Sequence, residues 1–131
     1  MSPRGGVAPG ECGTVQPDAV RAAIEEDPAS VGLVSVMWAN NEVGTVQDVT
    51  TMAAIAHEHG LAFHSDAVQA AGHLPVDFAA SGIDLMSVSA HKFGGPLGIG
   101  ALVAKRDARL VALSHGGGQE RGVRSGTLDV P

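Results

Sequence analysis

The sequence predicts an α/β fold with a mainly parallel sheet and flanking helices. Three observations carry that expectation: short apolar segments alternate with amphipathic segments of helical period, the strand-like segments end in polar side chains, and glycine-rich turns separate the units. In chain order, Pro17 to Glu26 is predicted helical, because Pro17 suits a first turn and Val20, Ala23 and Ile24 share a face. Val31 to Trp38 follows as a strand rich in β-branched residues. Val49 to His59 reads as a second helix, with Met52, Ala53, Ile55 and Ala56 on its apolar side and Gly60 as its stop. Leu61 to His64 is the next strand, continued by a short helical turn to Ala71 and a break at Gly72. Leu85 to Val88 and Ile99 to Ala104 complete the set, with Gly94-Gly95-Pro96 and Gly98 between them. No internal repeat or low-complexity run interrupts this alternation.

Composition narrows the function classes. A chain of 131 residues can bury a core. Its formal net charge of −6 gives a nucleic-acid or anionic-membrane surface no electrostatic support, so neither is expected as a partner. The apolar runs are strand-length and predict no transmembrane helix. Cys12 is the single cysteine, which excludes an internal disulfide and fits a reducing, cytoplasmic setting. Met1 to Gly6 lacks the apolar core of a signal peptide and reads as a start within a longer frame.

The chemistry concentrates where strands end. Lys92, in Ser89-Ala90-His91-Lys92-Phe93-Gly94-Gly95-Pro96, lies just past the Leu85–Val88 strand. In open α/β sheets ligands bind outside the carboxyl ends of the strands, and a lysine there can form a Schiff base with an aldehyde. An exposed surface lysine is the bland alternative. Upstream, His64-Ser65-Asp66-Ala67-Val68-Gln69 sets Asp66 at a second carboxyl edge, with Gln69 one helical turn on. Pyridoxal phosphate requires a lysine for its aldehyde, an acid for its pyridinium nitrogen, and donors for its oxygens. Lys92, Asp66 and Gln69 meet the first of these needs, although Asp66 equally suits a helix N-cap and Gln69 a solvated helix face. His64 shares the strand face of Asp66 and is expected to support it. A third strand end carries Asn40-Asn41-Glu42-Val43-Gly44, which turn chemistry alone also explains. The loop from Gly116 to Thr127 mixes glycines, Arg121, Arg124, Gln119 and hydroxyl donors, a composition suited to an anion and unusual in a linker.

Together these residues resemble the cysteine desulfurases of the class V aminotransferase fold, in the branch that supplies sulfur for iron–sulfur clusters and tRNA thiolation. The likeness rests on four ordered motifs between about Val31 and Thr127: Met37-Trp38-Ala39-Asn40-Asn41-Glu42-Val43-Gly44, His64-Ser65-Asp66-Ala67-Val68-Gln69, Ser87-Val88-Ser89-Ala90-His91-Lys92, and Gly116-Gly117-Gly118-Gln119-Glu120-Arg121 through Ser125-Gly126-Thr127. The resemblance implies part of the large domain of a pyridoxal 5'-phosphate-dependent transferase fold. It implies that Lys92 holds the aldehyde of pyridoxal phosphate and that Asp66 pairs with its pyridine nitrogen. Asn41 and Gln69 would then flank the phenolic oxygen, and Ser89 and His91 would bind the phosphate. Thr127 would reach the phosphate in the other subunit of a homodimer. The implied substrate is L-cysteine, converted to L-alanine, and the implied partner of the intact enzyme is a sulfur-acceptor protein.

The departures from the family are equally definite. Family members are far longer, with an upstream phosphate turn and ring-stacking histidine, and a downstream cysteine loop and small C-terminal domain. Residues 1–131 correspond to the central part of the large domain, and such a fragment is expected to be inactive alone. Cys12, in Pro9-Gly10-Glu11-Cys12-Gly13-Thr14, does not match the position of the family's nucleophile. Another class V enzyme, such as a selenocysteine lyase or an aminotransferase, is the alternative enzyme reading, and a catalytically silent remnant is the alternative from outside enzymology. No metal is expected, because His57 and His59 stand two apart on a predicted helix and lack the i, i+4 spacing of a zinc pair. Gly94 to Gly100 lacks the Lys-Ser/Thr ending of a nucleotide loop.

Overall fold

The computed structural model describes residues 5–127. The segment Met1 to Arg4, part of the expected internal start, lies outside them. Three helices and four strands follow in the order α1 (Pro17–Glu26), β1 (Val34–Met37), α2 (Val49–Glu58), β2 (Phe63–Asp66), α3 (Phe78–Ser81), β3 (Leu85–Ser89) and β4 (Gly100–Ala104), with a short 3-10 turn at Ala90–Phe93. The sheet runs β1-β2-β3-β4, and β1, β2 and β3 are parallel.

Local chemistry accounts for the helix bounds. Pro17 opens α1, and the Asp48 carboxylate caps α2 by accepting from Thr51 N–H at 3.1 Å. Gly60, at φ 70°, lets the chain leave α2 in the left-handed region. Both long helices pack on one sheet face, where Phe63, Met86, Met52, Ile55, Val20 and Ile24 form the core. Parallel pairing places α2 there, because the connection from β1 to β2 must cross back over the sheet, and α1, which precedes β1, packs against α2. The expected strands are longer at the start and earlier by two residues in the middle than those observed. Val31 to Leu33 precedes the pairing, and β2 begins at Phe63 and includes Asp66. The reason is register: Val34 pairs with Phe63 and Met37 with Asp66, which draws the aspartate into the last rung. The antiparallel orientation of β4 and the short helix α3 carried no signal strong enough to predict. Gly94, Gly95 and Pro96 begin the return that reverses β4 onto β3, from Ser89 opposite Gly100 to Leu85 opposite Ala104.

The amino edge of the sheet is held by Asp84. Its carboxylate accepts from Phe63 N–H at 2.8 Å and Lys105 Nζ at 2.7 Å, and it meets His57 Nε2 at 2.7 Å. Lys105 also donates to the carbonyl of Gly82 at 2.9 Å. Burial pushes this carboxyl up, but the hydrogen bonds from Lys105, His57 and Phe63 outweigh it and hold the pKa at about 2 against an ordinary 3.8. One carboxylate thus joins α2, the start of β2 and the end of β4.

A depressed carboxyl pKa contributes stability that is present above the ordinary value and lost as the pH falls through the folded one. Because His57 and Lys105 sit at a solvated rim, 39% and 37% exposed, screening limits the contribution to about 1–2 kcal/mol. Asp84→Asn should therefore lower the urea midpoint at neutral pH. The gap from the parent should close between about pH 4 and about pH 2. A gap that stays constant over that range would show that the charge of Asp84 is not what stabilises this edge.

Candidate functional site

The carboxyl ends of the three parallel strands meet at one edge, and six of the predicted residues stand there or in the turns that follow. Asp66 closes β2, flanked by Met37 of β1 and Ser87 of β3. Its backbone carbonyl accepts from Trp38 N–H at 2.8 Å, and the next amide, Ala67 N–H, donates to the Ser87 carbonyl at 3.0 Å. The Oδ1 atom of Asp66 accepts from Val68 N–H at 2.9 Å. Among the described residues Oδ2 has no hydrogen bond. The carboxylate is therefore anchored by one oxygen and available at the other, in a turn rather than a helix N-cap.

The turn continues through Ala70 N–H and Ala71 N–H to the carbonyl of Ala67 at 3.0 and 2.8 Å, which half-buries Gln69. Gln69 and Asn41 line one cleft of about 310 Å³, together with Asn40, Thr45, His73 and Leu74. The tandem asparagines divide the two readings of their motif between them. Asn40 Oδ1 accepts from Glu42 N–H at 2.9 Å and Val43 N–H at 3.1 Å, so Asn40 is consumed by the turn. Asn41, at the exposed tip, makes no side-chain hydrogen bond among the described residues.

Lys92 belongs to the 3-10 turn that follows β3 directly, with Ser89 at its entrance. The hydroxyl of Ser89 and Nδ1 of His91 are 2.8 Å apart, so the two expected phosphate ligands are already held together. Gly94, at φ 88°, ends the turn and Gly95 N–H returns to the Ala90 carbonyl at 2.8 Å. A Cβ on Gly95 would come within 2.8 Å of Ala90 Cβ, and one on Gly72 would overlap Cβ of Phe93. Gly72 sits at φ 80° in the loop after β2. Two glycines therefore permit the close packing of the lysine turn against its own start and against the Gln69 segment.

Thr127 is the candidate the fold does not join to the others. Among the described residues no hydrogen bond or ion pair ties it to them. Its loop closes on itself through Gly126 N–H to the Gly117 carbonyl at 3.0 Å, and Glu120 and Arg121 take positive φ values there. Sequence reasoning missed Thr45, whose Oγ1 is buried in the Asn41–Gln69 region with no hydrogen-bond partner among the described residues. It also missed Ser35 and Ser87, two hydroxyls interrupting otherwise apolar strands. A wider cleft of about 460 Å³ lies at the opposite edge around Asp84, His57 and Lys105, but Asp84 already bonds both of those groups. His59 turns away from His57 toward Glu25 of α1, at 3.6 Å, while His57 meets Asp84 ahead of β3, so the two imidazoles have separate partners.

The donor set fits pyridoxal phosphate: an amine, a carboxylate with a free oxygen, side-chain amides, and a buried unpartnered hydroxyl, all at the ligand-binding edge of the sheet.

Residues 7–127 match the family described as Aminotransferase class-V. An "IscS-like cysteine desulfurase" of Mycobacterium tuberculosis is 57% identical over 118 residues, covering 90% of this chain and 30% of that protein. A "Cysteine desulfurase IscS" of Neisseria meningitidis is 53% identical over 120 residues, covering 90% and 29%. Among solved structures, a NifS-like protein from Rickettsia africae superposes with a TM-score of 0.87 at 35% identity, covering 94% of this chain and 34% of that one. The structure described as SspA in complex with cysteine gives 0.84 at 39%, covering 93% and 35%. The chain spans about a third or less of the proteins it matches.

The Gly72–Phe93 contact yields a direct expectation. Gly72→Ala should cost about 1–3 kcal/mol, from the positive φ and the displaced Phe93, measured by chemical denaturation. It should also slow labelling of Lys92 by pyridoxal phosphate and borohydride. Unchanged stability and labelling would mean that this glycine does not set the lysine turn.

Proposed function

The chain belongs to the aminotransferase class-V family, and on that premise we propose that it is the cofactor-binding part of a cysteine desulfurase large domain. The single observation that carries this reading is the convergence at one sheet edge of Asp66, Gln69 and Asn41 with the Ser89–His91–Lys92 turn. The names of the relatives, cysteine desulfurases in both cases quoted, support cysteine as the substrate of the whole protein.

Bound pyridoxal phosphate supplies an electron sink for the pair released when a bond at the substrate's α-carbon is broken. Every other role falls to side chains. The Lys92 amine would hold the cofactor through its aldehyde and, when free, would carry a proton to and from the substrate's α-carbon. Asp66 would accept from the pyridine N–H with its free oxygen, while the Val68 amide on Oδ1 keeps the carboxylate from turning. Gln69 and Asn41 orient the phenolic oxygen from one cleft. Ser89 and His91, already hydrogen-bonded to each other, would hold the phosphate as a pair. Thr127 serves the phosphate of the second subunit in a homodimer. Sulfur passes to a thiol supplied by another part of the enzyme and then to an acceptor protein. Cys12, the single cysteine, is exposed and does not match the position of the family's nucleophile. No helix among the described residues is long and apolar enough to cross a membrane, and a cytoplasmic setting accords with the single unpaired cysteine.

Treating the 131-residue protein with excess pyridoxal phosphate and borohydride should fix the cofactor on Lys92, read by peptide mass. Lys105, the only other lysine, is engaged by Asp84 and Gly82 and should stay unlabelled. Labelling confined to Lys105 would sink the assignment.

The same protein should form no alanine catalytically from cysteine, even with cofactor and reductant, because Cys12, its single thiol, does not match the position of the family's nucleophile. Multiple-turnover alanine formation that disappears in Cys12→Ser would overturn this and make Cys12 the nucleophile.

A further inference from the structure

His64 lies on the sheet face opposite the helices, two residues before Asp66. Its Nδ1 is 2.8 Å from Ser35 Oγ on β1, and its Nε2 is 2.9 Å from Ser87 Oγ on β3. One imidazole therefore spans three strands. The bridge is skewed along the sheet: Ser35 is the direct partner of His64, whereas Ser87 is the direct partner of Asp66. The ring thus reaches forward, toward the carboxyl edge, to the residue beside the candidate acid.

Chemistry selects histidine for this place. Its two nitrogens are fixed on a rigid ring, and serine hydroxyls can donate or accept, so either tautomer leaves both bonds made. A single-amide side chain of similar size offers a polar group at one end only. Packing does not require the residue, because the core lies on the other face, where Phe63 and Ser65 are fully buried. What the bridge adds is lateral rigidity one residue pair behind two backbone bonds, Trp38 N–H to the Asp66 carbonyl and Ala67 N–H to the Ser87 carbonyl. Those bonds hold Asp66 between its neighbours.

We propose that His64 is a positioning residue, which by clamping Ser35 and Ser87 fixes the carboxylate of Asp66 for the cofactor's pyridine nitrogen. The inference rests on the reading of Asp66 given under Proposed function, but its mechanical half is measurable without any cofactor.

Ser35 and Ser87 do not neighbour one another, since β2 lies between their strands. Any coupling between them passes through His64. In the cofactor-free protein, Ser35→Ala, Ser87→Ala and His64→Phe should each speed hydrogen exchange at the Trp38 and Ala67 amides by about threefold to tenfold. The double serine variant should change little beyond either single one. Met52→Ala, a core substitution under the opposite face, serves as the control for general loosening. With pyridoxal phosphate added, the serine variants should shift the cofactor's visible absorption band in the direction that Asp66→Asn shifts it, and the control should not. Additive serine effects on exchange would overturn the clamp. Faster exchange with an unshifted band, where Asp66→Asn does shift it, would overturn the positioning role and leave His64 a structural bridge. A band indifferent to Asp66→Asn would instead overturn the role of Asp66 at the pyridine nitrogen, and the positioning role of His64 with it, while the exchange data would still decide the clamp. If His64→Phe fails to fold, the two serine variants carry the test.

Discussion

The position of every candidate side chain depends on the parallel register of β2 between β1 and β3. Parallel strands cannot be joined by tight turns, so each pair is linked by a crossover, and all three strands point their carboxyl ends the same way. That common direction turns three distant sequence segments into one edge. A slip of one residue in β2 would exchange its two faces, burying His64 and Asp66 and exposing Phe63 and Ser65. The core forbids it: Phe63 is fully buried among the residues of the helical layer.

Two aspartates at opposite edges of the sheet show how environment divides structure from chemistry. Asp84 is saturated by an ammonium, an imidazole and a backbone amide, and its carboxyl is held at about 2. It has nothing left to offer a ligand. Asp66 receives one backbone amide at one oxygen. The same side chain is thus a fastener at the amino edge and an open acceptor at the carboxyl edge, which is also where the strand-end rule puts ligands.

The two faces of the sheet differ as sharply. One packs against α1 and α2 around the buried core. The other carries Ser35, His64, Ser87 and the half-exposed Leu102. On that face order comes from side-chain hydrogen bonds across strands rather than from apolar burial, a weaker but more directional means of setting geometry. The site stands at the rim where the two regimes meet.

The alternation of apolar periods and glycine stops was sufficient by itself to determine the α/β class, the two long helices and the strand ends that carry Asp66 and Lys92. Those features follow from local rules: capping, helical period and strand hydrophobicity act over a few residues and are written in them. Tertiary structure decided what depends on partners far along the chain. Pairing with Met37 drew Asp66 into β2, where no local signal distinguished a last rung from a first turn. The tandem asparagines looked alike, and only the fold gave the turn to the carbonyl of the Asn40 side chain and left Asn41 without a hydrogen bond among the described residues, although both line the cleft. The role of Gly72 emerged from Phe93, 21 residues later by their numbering, because steric contact has no signature at the position that must yield to it. Ser35, His64 and Ser87 became one unit for the same reason: a hydrogen bond across a sheet is fixed by register, and register is set by the burial of the other face.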